Sequence, residues 1–156
     1  MLIRTAIPND AEGMSQVLNE IAAASGSDRL SNPAFARAHY IECAEGIQCS
    51  VAIDGAGGVI GFQSLILATE GNPYGTPPGW GIIGTHIRPA AHRRGVGTAL
   101  FSASRRAAAR AGLRHIDAYI LAAKPGAQAF YDALGFRTYR QTVDIVQKVF
   151  AMKPAA

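Results

Sequence analysis

Apolar residues at the start of the chain follow first a strand-like and then a helical spacing. Residues 2–7, LIRTAI, are short and partly β-branched, which is typical of a strand. Within residues 8–26, four apolar side chains fall on one helical face: Met14, Val17, Leu18 and Ile21. Asn9 and Glu12 have the spacing of a capping box, which predicts where this helix begins.

The next segment predicts a second helix and a hairpin. The helix is expected from Pro33, because proline suits a first helical turn, to a stop by Gly46. Residues 47–54 and 59–68 read as two strands joined by the turn GAGG. Residues 69–79 contain three prolines and three glycines, which indicates a loop that could border a substrate site.

The rest of the chain alternates strands and helices. Residues 80–87, WGIIGTHI, are apolar on both faces, as expected of a central strand. A helix is expected at 96–112, a strand at 114–121 and a short helix at 126–135. A final pair of strands follows at 136–145 and 146–152. The predicted order is βααβββαβαββ, in one α+β (α/β) domain over residues 1–156.

Composition narrows the class of protein. The chain has 156 residues, 49% of them hydrophobic and 17% charged, which is typical of a soluble globular domain. No apolar run approaches the roughly 18 residues that cross a bilayer, and the first residues do not resemble a signal peptide. A cytoplasmic protein without a membrane partner is therefore expected. Cys43 and Cys49 fit neither a CxxC pair nor a zinc knuckle, so no metal is expected.

Positive charge is concentrated in one part of the chain. The net charge is +4, and no acidic residue lies between Glu70 and Asp117. Seven arginines fall in this interval: Arg88, Arg93, Arg94, Arg105, Arg106, Arg110 and Arg114. The pattern indicates a polyanionic ligand. For Arg105, Arg106 and Arg110, simple solvation of the outer face of a helix is the preferred interpretation.

The sequence HRRGVGTAL, residues 92–100, lies where a strand gives way to a helix. Gly95 and Gly97 let main-chain N–H groups approach another group closely, and the start of a helix adds free N–H groups and a positive dipole end. The pattern favours a bound phosphate. It lacks the third glycine of a dinucleotide fingerprint and the Gly-Lys-Ser/Thr of a Walker loop. A tight turn without a ligand is the alternative.

Two segments together resemble the GNAT superfamily of N-acetyltransferases. IRPAAHRRGVGTAL is similar to its acetyl-CoA pyrophosphate motif, and AQAFYDALGF is similar to its downstream helix. The resemblance implies a mixed central sheet flanked by helices, with acetyl-CoA as co-substrate. It also implies a set of cofactor-binding residues: Ile87, Arg88, His92, Arg93, Arg94, Gly95, Val96, Gly97, Thr98, Lys124 and Phe130. His92 stands where the family usually has Gln or Arg. Lys124 stands where many members have Asn.

The same resemblance suggests catalytic residues. Tyr131 fits a proton donor for the departing thiolate, although it could instead be a packed residue of its helix. Many family members carry a glutamate on the strand at 80–87, which here has His86 as its one titratable side chain. With a pKa of about 6.5, His86 would suit proton removal at neutral pH, but a structural histidine is an equal alternative. Tyr119 on the next strand and Glu70 or Tyr74 in the loop at 69–79 are weaker candidates for the base, and a water chain to solvent is another. A backbone N–H near Ile87 would bind the oxyanion.

The expected activity is transfer of an acetyl group from acetyl-CoA to a primary amine by direct attack, without a metal. The expected partner is a small-molecule or peptide amine, and homodimerisation is common in the family. One alternative is a non-catalytic CoA- or phosphate-binding domain of the same fold. Binding of nucleic acid through the arginine-rich segment is a second alternative. It is disfavoured because no aromatic residue lies between Phe101 and Tyr119 to stack on bases.

Overall fold

The computed structural model describes residues 1–27 and 30–154. Its strands are β1 Leu2–Thr5, β2 Gly46–Ile53, β3 Val59–Leu67, β4 Gly81–Ile87, β5 His115–Leu121, β6 Arg137–Gln141 and β7 Ile145–Ala151. Its helices are α1 Ala11–Ala24, α2 Pro33–Ala36, α3 Val96–Arg110 and α4 Pro125–Leu134. The order βααβββαβαββ predicted from the sequence is therefore confirmed.

The seven strands form one mixed sheet in the order β1-β2-β3-β4-β5-β7-β6. Every neighbouring pair is antiparallel except β4 and β5, which run parallel. That parallel pairing covers three residues on each strand, Gly81–Ile83 against Ile116–Ala118. Both strands continue beyond it, so a gap opens in the sheet between the last residues of β4 and β5. We call this opening the β4–β5 gap.

Helices cover both faces of the sheet. Phe101 of α3 and Tyr131 of α4 pack with Ile83 and Ile116 on one face. On the other face, Met14 and Val17 of α1 are fully buried against Phe62 and neighbouring residues. Side chains alternate along a strand, so Thr85 and Ile87 of β4 face α3 and α4, whereas His86 faces the side of α1 and α2.

The predicted start of the first helix was wrong, whereas the second helix lies within its predicted limits. The Asn9–Glu12 capping box does not form, because α1 begins after Asp10. The Asp10 carboxylate accepts hydrogen bonds from the Ile7 N–H and the Arg4 guanidinium instead. The second helix begins at Pro33, as predicted, and its α-helical part ends at Ala36. After α2 the chain makes one π-helical turn, Arg37–Ile41, closed by the bond from Glu42 N to Arg37 O, and a turn then leads into β2.

The outer face of α3 is polar, as the sequence indicated. Arg105, Arg106 and Arg110 are exposed, whereas Ala103 and Ala107 on the inner face are buried. These three arginines therefore lie on the solvent-exposed face of the helix. Within residues 1–27 and 30–154, no helix combines the length and apolar character needed to cross a membrane.

Candidate functional site

Helix α3 begins at a tight turn that leaves its first N–H groups open. Arg93 and Gly95 both have positive φ, 62° and 76°, and turn the chain from the end of β4 into the helix. No described side chain caps Gly95, and the first helical turn contains no acidic residue. Helix geometry leaves the N–H groups of Val96, Gly97 and Thr98 without partners inside the helix. This end of α3 is therefore suited to an anion.

The two glycines of the motif have different surroundings. A Cβ built on Gly97 would overlap Phe130 Cε1 and would stand 3.1 Å from Ile87 Cδ1. A Cβ on Gly95 would meet no described atom within 4 Å. Sequence reasoning expected both glycines to let an anion approach the backbone, and at Gly97 the missing side chain also leaves room for the Phe130 ring. Gly97 lets α3 pack closely on α4 and β4, and Gly95 marks the open side of the turn.

The basic side chains around the turn are not all directed to one place. Arg88 Nε lies 2.8 Å from Glu20 Oε2, so this side chain, expected near the cofactor, ties the end of β4 to α1. Arg94 lines a cavity of about 210 Å³ beside the turn between β2 and β3. His92 and Arg93 are exposed. Arg93 and Arg94 are therefore the nearest sources of positive charge for an anion at the start of α3.

A buried chain of hydrogen bonds ends at the hydroxyl of Tyr131. Tyr131 Oη lies 2.8 Å from Thr85 Oγ1, and either hydroxyl can donate in this pair. Gln63 Nε2 donates to Thr85 Oγ1 at 2.9 Å, and Ser104 Oγ donates to Gln63 Oε1 at 2.6 Å. Gln63 and Ser104 are fully buried. The chain links α3, β3, β4 and α4, and it fixes the Tyr131 hydroxyl beside the β4–β5 gap.

Burial controls the protonation of Tyr131. It raises the pKa of the phenol to about 12, although hydrogen bonds from the Thr85 side chain and backbone act in the opposite direction. The hydroxyl is therefore protonated at neutral pH and can donate a hydrogen bond.

Backbone N–H groups of β4 also face the gap. Arg88 N donates to Ile60 O of β3 at 3.0 Å. Hydrogen-bonding direction alternates along an antiparallel strand, so the N–H groups of Thr85 and Ile87 point to the opposite edge of β4. Because β5 no longer pairs there, the Ile87 N–H is available to an oxygen atom in the gap.

A cavity of about 230 Å³ lies on the His86 face of the sheet. We call it the acceptor cavity. Five of its eleven lining residues carry rings: His39, Tyr40, Tyr74, His86 and Tyr119. The centroids of the Tyr40 and His86 rings are 5.4 Å apart, and those of the Tyr74 and Tyr119 rings are 5.1 Å apart. None of the described residues that line the cavity is an aspartate or a glutamate. The wall is therefore largely apolar, with histidine and tyrosine as its titratable groups apart from Cys43.

His86 is neutral in this environment. Burial, with the charges of His39 and Lys124, lowers the pKa of His86 to about 4. The pKa of about 6.5 that the sequence led us to expect for His86 is therefore wrong for this site. The ring can accept a hydrogen bond at pH 7, but it is a weak base. Lys124 is exposed just before α4, and its charge acts on the acceptor cavity.

A buried carboxylate that sequence reasoning did not select holds one wall of the acceptor cavity. Asp117 of β5 accepts hydrogen bonds from Thr76 Oγ1 at 2.9 Å and Tyr139 Oη at 2.6 Å. Arg140 Nη2 donates to the Gly75 carbonyl at 2.6 Å. These bonds fix the loop at 69–79, which carries Tyr74 into the cavity wall. The one sequence signal was an acid within an otherwise apolar strand.

Comparisons with known proteins bear on the fold and the family of this chain. No curated protein gives a significant sequence match. Solved structures of similar fold include a GCN5-related N-acetyltransferase from Kribbella flavida, at 21% identity over 96% of both chains with a TM-score of 0.79. They also include ribosomal-protein-alanine N-acetyltransferase from Brucella melitensis, at 18% identity over 97% of this chain and 99% of that chain with a TM-score of 0.78.

A third structure of similar fold is a GNAT superfamily phosphinothricin acetyltransferase from Sinorhizobium meliloti, solved in complex with AcCoA. It is 19% identical over 97% of this chain and 88% of that chain, with a TM-score of 0.77. At these identities the likeness shows a shared fold. The model of the acetyltransferase (GNAT) family matches residues 15–136, which is most of the chain. The protein therefore belongs to the GNAT acetyltransferase family.

Proposed function

We propose that this protein transfers the acetyl group of acetyl-CoA to a primary amine by direct attack. The observation that carries the proposal is the β4–β5 gap. The open N-terminus of α3 follows the end of β4, the Tyr131 hydroxyl lies at the gap on one face, and the acceptor cavity lies on the other face. A thioester in the gap would meet an amine from the cavity.

Coenzyme A fits the start of α3 by charge. Its phosphates carry about four negative charges near neutral pH, counting roughly two on the 3′-phosphate. The N–H groups of Val96, Gly97 and Thr98 and the side chains of Arg93 and Arg94 supply hydrogen-bond donors and positive charge there. The end of β4 at Ile87 would then lie along the pantetheine arm.

In the reaction, the amine lone pair attacks the acetyl carbonyl carbon, and the carbonyl oxygen becomes an oxyanion. The Ile87 N–H donates to this oxyanion. The tetrahedral intermediate then breaks its C–S bond, which releases the amide and the CoA thiolate. The nitrogen of the intermediate gives its extra proton to water before the C–S bond breaks, so the amide leaves neutral. The thiolate is stabilised by a hydrogen bond and then takes a proton from water.

Tyr131 is the donor that we assign to the thiolate. Full proton transfer is unfavourable, because a phenol of pKa about 12 faces a thiol of about 8.5, a difference of roughly 5 kcal/mol. The hydroxyl therefore acts as a hydrogen-bond donor. Gln63 supplies a donor to Thr85 Oγ1, so the Thr85 hydroxyl can donate to Tyr131 Oη and leave the Tyr131 proton free for sulfur.

His86 is assigned a smaller role. Its pKa of about 4 makes it too weak a base to deprotonate an ammonium ion of pKa about 10. The neutral ring can instead accept a hydrogen bond from an amine that arrives already deprotonated, and so orient its lone pair.

The test combines binding with turnover. At one hundred times Kd, acetyl-CoA should stabilise the fold by about 2.7 kcal/mol, which is visible as a rise in melting temperature. Addition of amines should then release free thiol and give the acetylated amine. A melting shift without product for any amine would favour the non-catalytic CoA-binding alternative. No shift at millimolar acetyl-CoA would contradict both.

A further inference from the structure

The acceptor cavity carries information about the amine that it receives. At about 230 Å³ it is smaller than the roughly 300–1,000 Å³ of sites for drug-sized ligands. Tyr40, Tyr74 and Tyr119 give it an aromatic wall, and Ile66 and Ile82 add apolar surface. Such a wall binds a compact apolar or aromatic group, because each ring buries apolar area and can stack on another ring.

The charges around the acceptor cavity disfavour a second cation. No described lining residue is acidic, and the positive charge of Lys124 acts on His86 in the cavity wall. The Glu45 carboxylate accepts a hydrogen bond from Cys43 Sγ at 3.6 Å, but Glu45 is exposed and does not line the cavity. A diamine would bring its second ammonium group into this region without a counter-ion.

The same surroundings select for an amine that is easily deprotonated. The cavity offers no carboxylate base, and its neutral histidine is a weak one. The amine must then lose its proton to water before it attacks. At pH 7.5 about one third of an α-amino group with a pKa near 7.8 is neutral, against about 0.1% of an alkylamine with a pKa near 10.4.

Resting on the amine acetylation proposed above, we infer that the acceptor is a small compound with an α-amino group next to a carbonyl, an apolar or aromatic body and no second positive charge. Amides of hydrophobic amino acids and peptides that begin with such a residue belong to this class.

Four probes separate these properties. Phenylalaninamide has both the aromatic body and the weakly basic amine. Phenethylamine keeps the body but has a strongly basic amine, glycinamide keeps the amine but lacks the body, and putrescine carries two ammonium groups. The assay measures kcat/KM for each probe at pH 7.5, with saturating acetyl-CoA and detection of free thiol.

Phenylalaninamide is expected to be the best of the four. Its kcat/KM should exceed that of glycinamide by about 10- to 150-fold, the factor for burial of an aromatic side chain. It should exceed that of phenethylamine by at least about tenfold, since the larger neutral fraction outweighs the lower nucleophilicity. The kcat/KM for phenethylamine should rise about tenfold per pH unit up to pH 9, whereas that for phenylalaninamide should level off above about pH 8.

A pair of variants tests the aromatic wall. Tyr119→Ala should lower kcat/KM for phenylalaninamide at least fivefold more than for glycinamide. Leu2→Ala is the control, because Leu2 is an exposed residue of the edge strand β1 and lines neither the acceptor cavity nor the β4–β5 gap. It should change neither value by more than about threefold.

Each unfavourable result has its own meaning. Turnover in which putrescine or phenethylamine equals or exceeds phenylalaninamide would overturn the inference and leave the acetyltransferase function standing. Equal losses for both amides in Tyr119→Ala would overturn the role of the aromatic wall. No turnover with any probe, with acetyl-CoA bound, would overturn the proposed function and with it the inference.

Discussion

Replacement of Tyr131 by phenylalanine removes the one hydroxyl that the proposed reaction assigns to the leaving thiolate. The ring would keep its packing, since its centroid lies 4.9 Å from that of the Phe130 ring and 5.0 Å from that of the Phe136 ring. Thr85 Oγ1 would also keep Gln63 Nε2 as a donor at 2.9 Å. The loss to the fold is the hydrogen bonding between the Tyr131 hydroxyl and Thr85, worth about 0.5–1.5 kcal/mol of unfolding free energy for each bond.

The effect on catalysis should be larger than the effect on stability. A hydrogen bond to a charged acceptor is worth about 1.5–3 kcal/mol, so kcat should fall by about 10- to 150-fold. Because the charge develops on sulfur during the reaction, kcat and kcat/KM should fall together. The affinity for acetyl-CoA, measured by calorimetry, should stay within about threefold of wild type.

The assay follows thiol release with acetyl-CoA and one good amine. Tyr139→Phe at saturating amine is the matched control, because it also removes a tyrosine hydroxyl from a part-buried hydrogen bond, the 2.6 Å bond to Asp117. This bond acts on the loop of the acceptor cavity and not on the thioester. The kcat of this variant should remain within about threefold of wild type. If Tyr131→Phe also keeps kcat within threefold, Tyr131 is a packing residue and the assignment is wrong.

Three further changes test other parts of the structure. Gly97→Val places a side chain against the Phe130 ring, so urea unfolding should show a loss of about 1–3 kcal/mol, partly restored by Phe130→Leu; weaker CoA binding with unchanged unfolding would contradict this packing role. Asp117→Ala removes the acceptor of the Thr76 and Tyr139 hydroxyls, which should lower the unfolding free energy by about 2–4 kcal/mol. It should also raise KM for the amine but not for acetyl-CoA, and an unchanged urea midpoint would refute that reasoning. Because the pKa of His86 is lowered to about 4 in the folded protein, only the unfolded state has this histidine protonated between about pH 4 and 6.5. The unfolding free energy should therefore rise with pH across this window, by at most about 3 kcal/mol. His86→Gln should flatten that dependence in urea titrations at pH 4.5 and 7.5, and an equal slope in both proteins would disprove the shift.

Local pattern was sufficient for most of the fold. The apolar spacing of residues 11–24 and the β-branched runs of β2 and β3 specify their elements without reference to the rest of the chain. The start of α1 could not be predicted in the same way. Asp10, and not Asn9, receives the Ile7 N–H, because Arg4 of β1 binds the Asp10 carboxylate and holds it there.

The candidate site was predicted where its residues lie in one motif and missed where they come together from distant segments. The open turn at the start of α3 follows from adjacent residues. By contrast, the ion pair of Arg88 joins it to Glu20, and the hydrogen bond of Asp117 joins it to Thr76, 41 residues earlier. The ring that fills the space at Gly97 comes from Phe130 of another helix. Such long-range pairs depend on the sheet order, which local periodicity does not contain.

Direct transfer between two bound substrates is the central claim, and initial rates with both substrates varied test it most directly. Thiol release should be measured over a grid of acetyl-CoA and phenylalaninamide concentrations, with the acetylated amide quantified by mass spectrometry. Direct attack predicts double-reciprocal lines that intersect, one thiol per acetylated amide, and no thiol release without amine. Parallel lines with a burst of thiol before amine is added would indicate a covalent acetyl-enzyme and contradict the mechanism.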